Sequence, residues 1–202
     1  MRHVVWDMDG TLLDSTRVVP DAFVAAVAEL GGPRVDRDEV VAAYSLGVPE
    51  VVLEHFLGRE LVDGEAEAYY GRLVGAEVEP YPGVAATLDA LRSDGRPVAV
   101  FTGASTRAAR TLLEAAGLEV DVLVGGDDMG RPKPAPDGVV EAARRLGTDL
   151  LDVVYVGDAA NDTRAARAAG AVAAAASWGH LFEPDEPADH VLSEPADVLR
   201  LL

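Results

Sequence analysis

The sequence predicts an α/β protein: a Rossmann-like core with a central parallel sheet flanked by helices, interrupted after its first strand by a bundle of helices. Three observations carry this. Short apolar, β-branched runs alternate with helical patterns from residue 83 onward, the stretch from residue 15 to 82 contains helical patterns only, and polar, chemistry-bearing residues fall directly after the apolar runs.

The first run, His3 to Met8, is a buried strand that ends in a turn at Asp9 and Gly10. Further strands are expected at Pro97 to Thr102, Asp121 to Gly125, Val153 to Gly157 and Ala171 to Ala175, with a weak last one around Val191. Helices are expected between them at Val84 to Arg92, Thr106 to Ala116, Pro136 to Leu146 and Asp162 to Ala169, and a short one from Pro195 to Leu201. Strand followed by helix followed by strand favours parallel pairing through right-handed crossovers. Within the insertion, four helices are expected: Asp21 to Leu30, Asp36 to Tyr44, Pro49 to Leu57 and Asp63 to Val74, each stopping at or near glycine. The chain returns through Pro80, Tyr81, Pro82 and Gly83, a stiff turn suited to a hinge. The expected division is a core of residues 1–14 and 83–202 and a helical cap of residues 15–82.

Composition narrows the function classes. The chain has 202 residues, 49% hydrophobic, no cysteine and a formal net charge of −18. No disulfide or thiolate metal site is possible. A surface this acidic repels nucleic acid and anionic membranes, so neither is expected as a partner. The apolar stretch around Ala171 to Ala176 is far shorter than the roughly 18 residues of a membrane helix, and the amino terminus has no export-signal pattern, so a cytoplasmic protein is expected. An anionic ligand would have to be drawn by a cation or by local positive groups. Of the 17 basic residues, all but Lys133 are arginine, which marks Lys133 as a place where a guanidinium does not serve.

Four segments carry chemistry, each at the end of an expected strand or just before a helix. Asp7-Met8-Asp9-Gly10-Thr11 sets two carboxylates at the tip of the first strand, where paired acids suit a nucleophile with an acid/base partner, a metal, or both. Phe101-Thr102-Gly103-Ala104-Ser105 offers a hydroxyl, a glycine permitting close backbone approach and the positive end of a helix, an anion cradle in which Thr102 and Gly103 would touch phosphate. Ser105 or Thr106 would cap the following helix. In Gly130-Arg131-Pro132-Lys133-Pro134-Ala135-Pro136, three prolines stiffen the chain about the lone lysine. In Val156-Gly157-Asp158-Ala159-Ala160-Asn161-Asp162, Asp158 leaves a strand as Asp7 does, and Asp162 opens a helix, as a cap, as a water-mediated metal ligand or as a partner for Lys133.

In order, spacing and placement these segments resemble the motifs of the haloacid dehalogenase superfamily, specifically the phosphoglycolate phosphatase-like branch with a helical cap. The match runs from Trp6 through Asp7, Asp9, Thr11, Asp14 and Ser15 to Thr102-Gly103, Lys133-Pro134-Ala135-Pro136 and Gly157 to Asp162, and spans essentially the whole chain. The resemblance implies a magnesium-dependent phosphatase acting on a small phosphorylated metabolite. Asp7 would be phosphorylated, Asp9 would move the proton and lend its backbone carbonyl to the metal, Asp158 would complete the metal site, and Lys133 with Thr102 would balance charge on the phosphoryl group. Asp9 separates this pattern from the family's dehalogenases, and a lysine-free cap separates it from its phosphonatases. A sugar phosphomutase of the β-phosphoglucomutase type is the alternative, and a non-catalytic binding module is a further one. The arginines Arg17, Arg34, Arg37, Arg59 and Arg72 are candidates to grip a second anionic group, Tyr44 to Val48 resemble a cap loop facing the crevice, and Trp178-Gly179-His180 resembles a loop near the site. Whether the chain is a monomer or a homodimer is not legible in the sequence.

Overall fold

The computed structural model describes residues 1–202. Strand β1 (His3–Trp6) is followed by a two-residue strand β2 (Leu13–Asp14), then by helices α1 (Val18–Glu29), α2 (Arg37–Ala43), α3 (Pro49–Leu57) and α4 (Glu67–Leu73), and by a second two-residue strand β3 (Glu79–Pro80). The regular alternation follows: α5 (Val84–Ser93), β4 (Ala99–Phe101), α6 (Thr106–Ala115), β5 (Val122–Val124), α7 (Asp137–Leu146), β6 (Val153–Gly157), α8 (Ala160–Ala169), β7 (Val172–Ala176) and β8 (His190–Leu192). The chain ends in a 3₁₀ helix, Pro195–Leu201, where the sequence suggested a short helix.

Six strands form one sheet in the order β5-β4-β1-β6-β7-β8, and every neighbouring pair is parallel. The side-chain period of two divides the strands between two cores. Val4, Trp6, Val98, Val100, Val154 and Val156 join one apolar cluster, whereas Val5, Ala99, Phe101, Val153 and Tyr155 join the other. Helices α5 and α6 cover the first face through Leu88, Leu91, Leu112 and Leu113. Helices α7 and α8 cover the second through Val139, Ala142, Ala143, Ala165 and Ala166. Burial on both faces explains why the strands read as continuous apolar runs instead of alternating ones.

The sequence order reverses beside β1: the chain moves outward through β4 and β5, then returns to β6 on the other side. Ligand sites of open α/β sheets lie at such a switch, beyond the carboxyl ends of the strands.

The stretch from residue 15 to 82 differs from expectation in three places. Only helices are expected there, but Glu79–Pro80 pairs antiparallel with Leu13–Asp14, a ladder too short to leave a period-two pattern. Helix α1 starts at Val18, not Asp21, because Pro20 falls in the first turn, where its missing N–H is not needed. Helix α4 starts at Glu67, not Asp63, after turns around Gly64. Helix α1 is the hub of this bundle, packing on α2, α3 and α4. Its buried Val19, Phe23 and Val27 belong to the same apolar cluster as the first face of the sheet.

Candidate active site

Three adjacent strands each release a polar residue at the same edge. β1 ends at Trp6 and delivers Asp7, β4 ends at Phe101 and delivers Thr102, and β6 ends at Gly157 and delivers Asp158. Parallel register brings them together: Trp6 lies opposite both Val100 and Val156. Asp7, Thr102, Asp158 and Asp162 are all buried. Polar groups that deep are costly unless paired, and here the pairing is extensive.

Lys133 supplies the centre of that pairing. Its Nζ donates to Asp7 Oδ1 at 2.5 Å and to Asp162 Oδ1 at 2.7 Å, and it lies 4.7 Å from the Phe101 ring centroid and 5.3 Å from that of Tyr155. A compact ammonium fits between two carboxylates and two rings, whereas a planar guanidinium has no such space, which gives the lone lysine its physical reason. Burial pushes the ammonium's pKa down, but Asp162 and Asp7 together outweigh burial and leave it raised. Asp162 is fixed in turn by the Tyr155 hydroxyl, which donates to Oδ1 at 3.2 Å, and by the Ala159 amide, which donates to Oδ2 at 3.0 Å. Of the readings offered for Asp162, lysine partner and helix cap are therefore both realised. Tyr155 was not singled out in the sequence; its place in the middle of an apolar strand gave no signal.

Asp158 is held by the Leu181 amide, which donates to Oδ2 at 2.9 Å, and faces the Thr11 hydroxyl at 3.5 Å and His180 Nδ1 at 3.8 Å. Trp178 Nε1 donates to the Thr11 carbonyl at 2.9 Å, so Trp178-Gly179-His180 lies beside the site, the place its resemblance suggests. Two glycines are required by the close approach. A Cβ on Gly10 would stand 2.4 Å from Asp158 Oδ2, and one on Gly179 would stand 2.2 Å from Asp158 Cβ; Gly10 also has φ +81°.

Asp9 is separate from this cluster. Its Oδ1 accepts a hydrogen bond from the Ser15 hydroxyl at 2.5 Å, and the carboxyl borders the cavity toward the helical insertion. Burial raises its pKa, and the Ser15 bond opposes that shift. Thr102 and Gly103 line the same cavity, and the Thr102 hydroxyl accepts from the Ala104 amide at 3.1 Å. Ser105, not Thr106, caps α6 by accepting from the Ala108 amide.

Oxygens of Asp7, Asp158 and Asp162 lie within 4.8 Å of one another. With Lys133 among them, the ionised cluster carries two uncompensated negative charges. Asp7 is pushed well up by burial, only partly opposed by Lys133, and Asp158 is pushed up to about 7 by burial and by Asp162. A hard oxygen-ligated dication is the counter-charge that this donor set fits. Asp7 and Asp158 have oxygens to offer it, while Asp162 is committed to Lys133, Tyr155 and Ala159.

The cavity above these residues has a volume of about 350 Å³. Tyr44, Ser45, Leu46, Gly47 and Val48 all line it, as the sequence suggested, together with Val19, Phe23, Val51, Val52 and Tyr69. None of the five arginines named as anion grips reaches it. Arg37 pairs with Asp21, Arg59 with Glu65 and Arg72 with Glu29, and Arg17 and Arg34 are exposed.

Comparison with known proteins agrees with this geometry. The haloacid dehalogenase-like hydrolase family matches residues 1–170. The chain is 32% identical over 207 residues to a phosphoglycolate phosphatase of Aquifex aeolicus, covering 100% of this chain and 97% of that one. It is 34% identical over 208 residues to a phosphoglycolate phosphatase of Xylella fastidiosa, covering 96% and 90%. In fold it is similar to CbbY of Rhodobacter sphaeroides crystallised with phosphate, with a TM-score of 0.82 at 24% identity over 98% of this chain and 96% of that one. The chain belongs to the haloacid dehalogenase-like hydrolases. Within them it is an enzyme that stands with the phosphatases, to which it is similar over its full length.

Proposed function

We propose that this chain hydrolyses a small phosphomonoester in two steps through a phosphorylated Asp7. The observation that supports it most is the meeting of Asp7, Lys133, Asp158 and Thr102 at the ends of three adjacent strands, under a cavity roofed by the insertion. In the first step an Asp7 carboxylate oxygen bonds to phosphorus while the bond to the leaving alcohol breaks, and Asp9 gives its proton to the departing oxygen. In the second, Asp9 takes a proton from water, the water oxygen bonds to phosphorus, and Asp7 is released with inorganic phosphate. Burial raises the pKa of Asp9, which suits a group that gives and takes back a proton, and Ser15 fixes its orientation. Lys133 stays charged throughout and balances negative charge on the transferring oxygens, while Tyr155 and Asp162 keep it in place.

Magnesium is the proposed cofactor: Asp7, Asp158 and the Asp9 backbone carbonyl would hold it, and it would supply charge neutralisation at the phosphoryl oxygens. Residues 15–82 act as a cap that roofs the site and excludes bulk water. The phosphoglycolate phosphatases similar to this chain suggest a small phosphorylated metabolite as substrate, and no helix is long and apolar enough to cross a membrane, which accords with work in the cytoplasm. A sugar phosphomutase would need a cation for the second phosphate of a bisphosphate, and Lys133 is the only Lys or Arg in the lining, so hydrolysis is favoured.

The test is release of inorganic phosphate from a panel of phosphomonoesters with and without magnesium. Turnover that needs the metal and disappears in Asp7→Asn supports the reading; turnover surviving in Asp7→Asn excludes the covalent step.

A further inference from the structure

The roof of the cavity carries no charge. Eleven lining residues come from the insertion, among them Phe23, Tyr44, Leu46, Val48, Val51 and Tyr69, and not one is Lys, Arg, His, Asp or Glu. The floor provides no spare cation either, since Lys133 already binds Asp7 and Asp162. His180 does not line the cavity. The polar groups of the roof are the hydroxyls of Tyr44, Ser45 and Tyr69, and Leu46 and Val51 are 43% and 41% exposed at the mouth. An ester entering this space puts its phosphate against the floor and its alcohol against the roof.

A carboxylate on that alcohol would shed water against the roof and meet no cationic side chain there. Uncompensated burial of an ion is among the most unfavourable events in a protein interior. An apolar alcohol would instead cover Leu46 and Val51 and shed water from the aromatic wall. We propose that the leaving group is an uncharged, largely apolar alcohol, aryl or alkyl, and that carboxylate-bearing esters of the phosphoglycolate kind are poor substrates. This rests on the phosphatase reading and specifies its substrate class. It also separates this chain from the activity for which the relatives similar to it are named.

The test compares catalytic efficiency with magnesium for three esters: benzyl phosphate, 2-phosphoglycolate, and the phosphate ester of glycolamide, which replaces the carboxylate with a neutral group of the same shape. Efficiency is expected to fall in the order benzyl, glycolamide, glycolate, with benzyl phosphate favoured over 2-phosphoglycolate by about 100-fold. Leu46→Arg, at the exposed mouth, is expected to shrink that ratio about tenfold by offering the carboxylate a partner. A benzyl preference below about tenfold overturns the inference while leaving the phosphatase reading intact, because phosphate is still released. Release from none of the three overturns both.

Discussion

The floor and the roof of the cavity are built on opposite principles. The floor concentrates Asp7, Asp158, Asp162 and Lys133 in a buried network in which Asp162 is fully paired while Asp7 and Asp158 keep oxygens to offer. The roof presents valine, leucine, phenylalanine and tyrosine from an insertion whose helices carry their charges elsewhere, as in Arg37 with Asp21 and Arg72 with Glu29. In the proposed reaction a floor of fixed charges would act on the phosphoryl group, which all candidate esters share. A neutral roof would act on the alcohol, where they differ. Changes to the floor should therefore lower turnover of every ester alike, and changes to the roof should alter which ester is preferred.

The largest effect is expected for Asp7→Asn, which removes the attacking oxygen's charge: turnover of every ester should drop by about 10⁴-fold or more, read as phosphate release, with no phosphoenzyme on acid quench. Asp9→Ala should lower kcat by about 10³-fold for esters of poorly leaving alcohols and less for nitrophenyl phosphate, whose leaving oxygen needs little protonation. Lys133→Arg keeps the charge but not the shape, and kcat should fall about 100-fold without a change in ester preference. An unaltered rate would remove the reason given for the lone lysine.

A pH experiment tests the charge excess of the floor. Asp158 is an acid with a folded-state pKa of about 7, above its ordinary value of 3.8, so between those pH values the folded chain binds the extra proton. Stability from this group is therefore highest at low pH and falls as pH rises toward about 7. In chelator, Asp158→Asn should exceed wild type in thermal midpoint at pH 8, and the gap should narrow as pH is lowered from 7 to 5. Added magnesium should narrow it at pH 8 as well. A gap independent of pH would mean that the carboxylates are better compensated than the geometry indicates.

The smallest effect concerns the join between the two regions. The Tyr70 hydroxyl of α4 bonds to Glu50 of α3 at 2.7 Å and to Ser105, the cap of α6, at 2.8 Å, while Arg107 of α6 pairs with Glu67 and lies 4.2 Å over the Tyr70 ring. Tyr70→Phe should cost about 1 kcal/mol in denaturant unfolding. It should also change KM a few-fold with kcat nearly constant, since the roof shifts and the floor does not. A loss of kcat matching that of Lys133→Arg would show that the two regions are not separable in function.

The core was legible because its signals are local. A strand buried on both faces is an apolar run, a crossover helix has its own period, and Asp7, Thr102 and Asp158 follow their strands by one residue. The insertion was legible as helices but not as a wall. Its sequence places five arginines within reach of a ligand, and the fold turns all five outward or onto acidic partners. Tyr155 in a strand interior and Glu79–Pro80 in a two-residue ladder left no pattern to read.

By itself the sequence determined the architecture and the polar residues that stand at the strand ends, since strand ends and motif spacing are properties of neighbouring residues. Only the tertiary structure decided that Lys133 is shared between Asp7 and Asp162, that Asp9 belongs to Ser15 and stands apart from the carboxylate cluster, and that the roof is uncharged. The sharing of Lys133 joins side chains 126 and 29 positions apart in the chain, and even the Asp9–Ser15 bond spans six positions across a turn; such pairing follows from packing, on which local pattern carries no information.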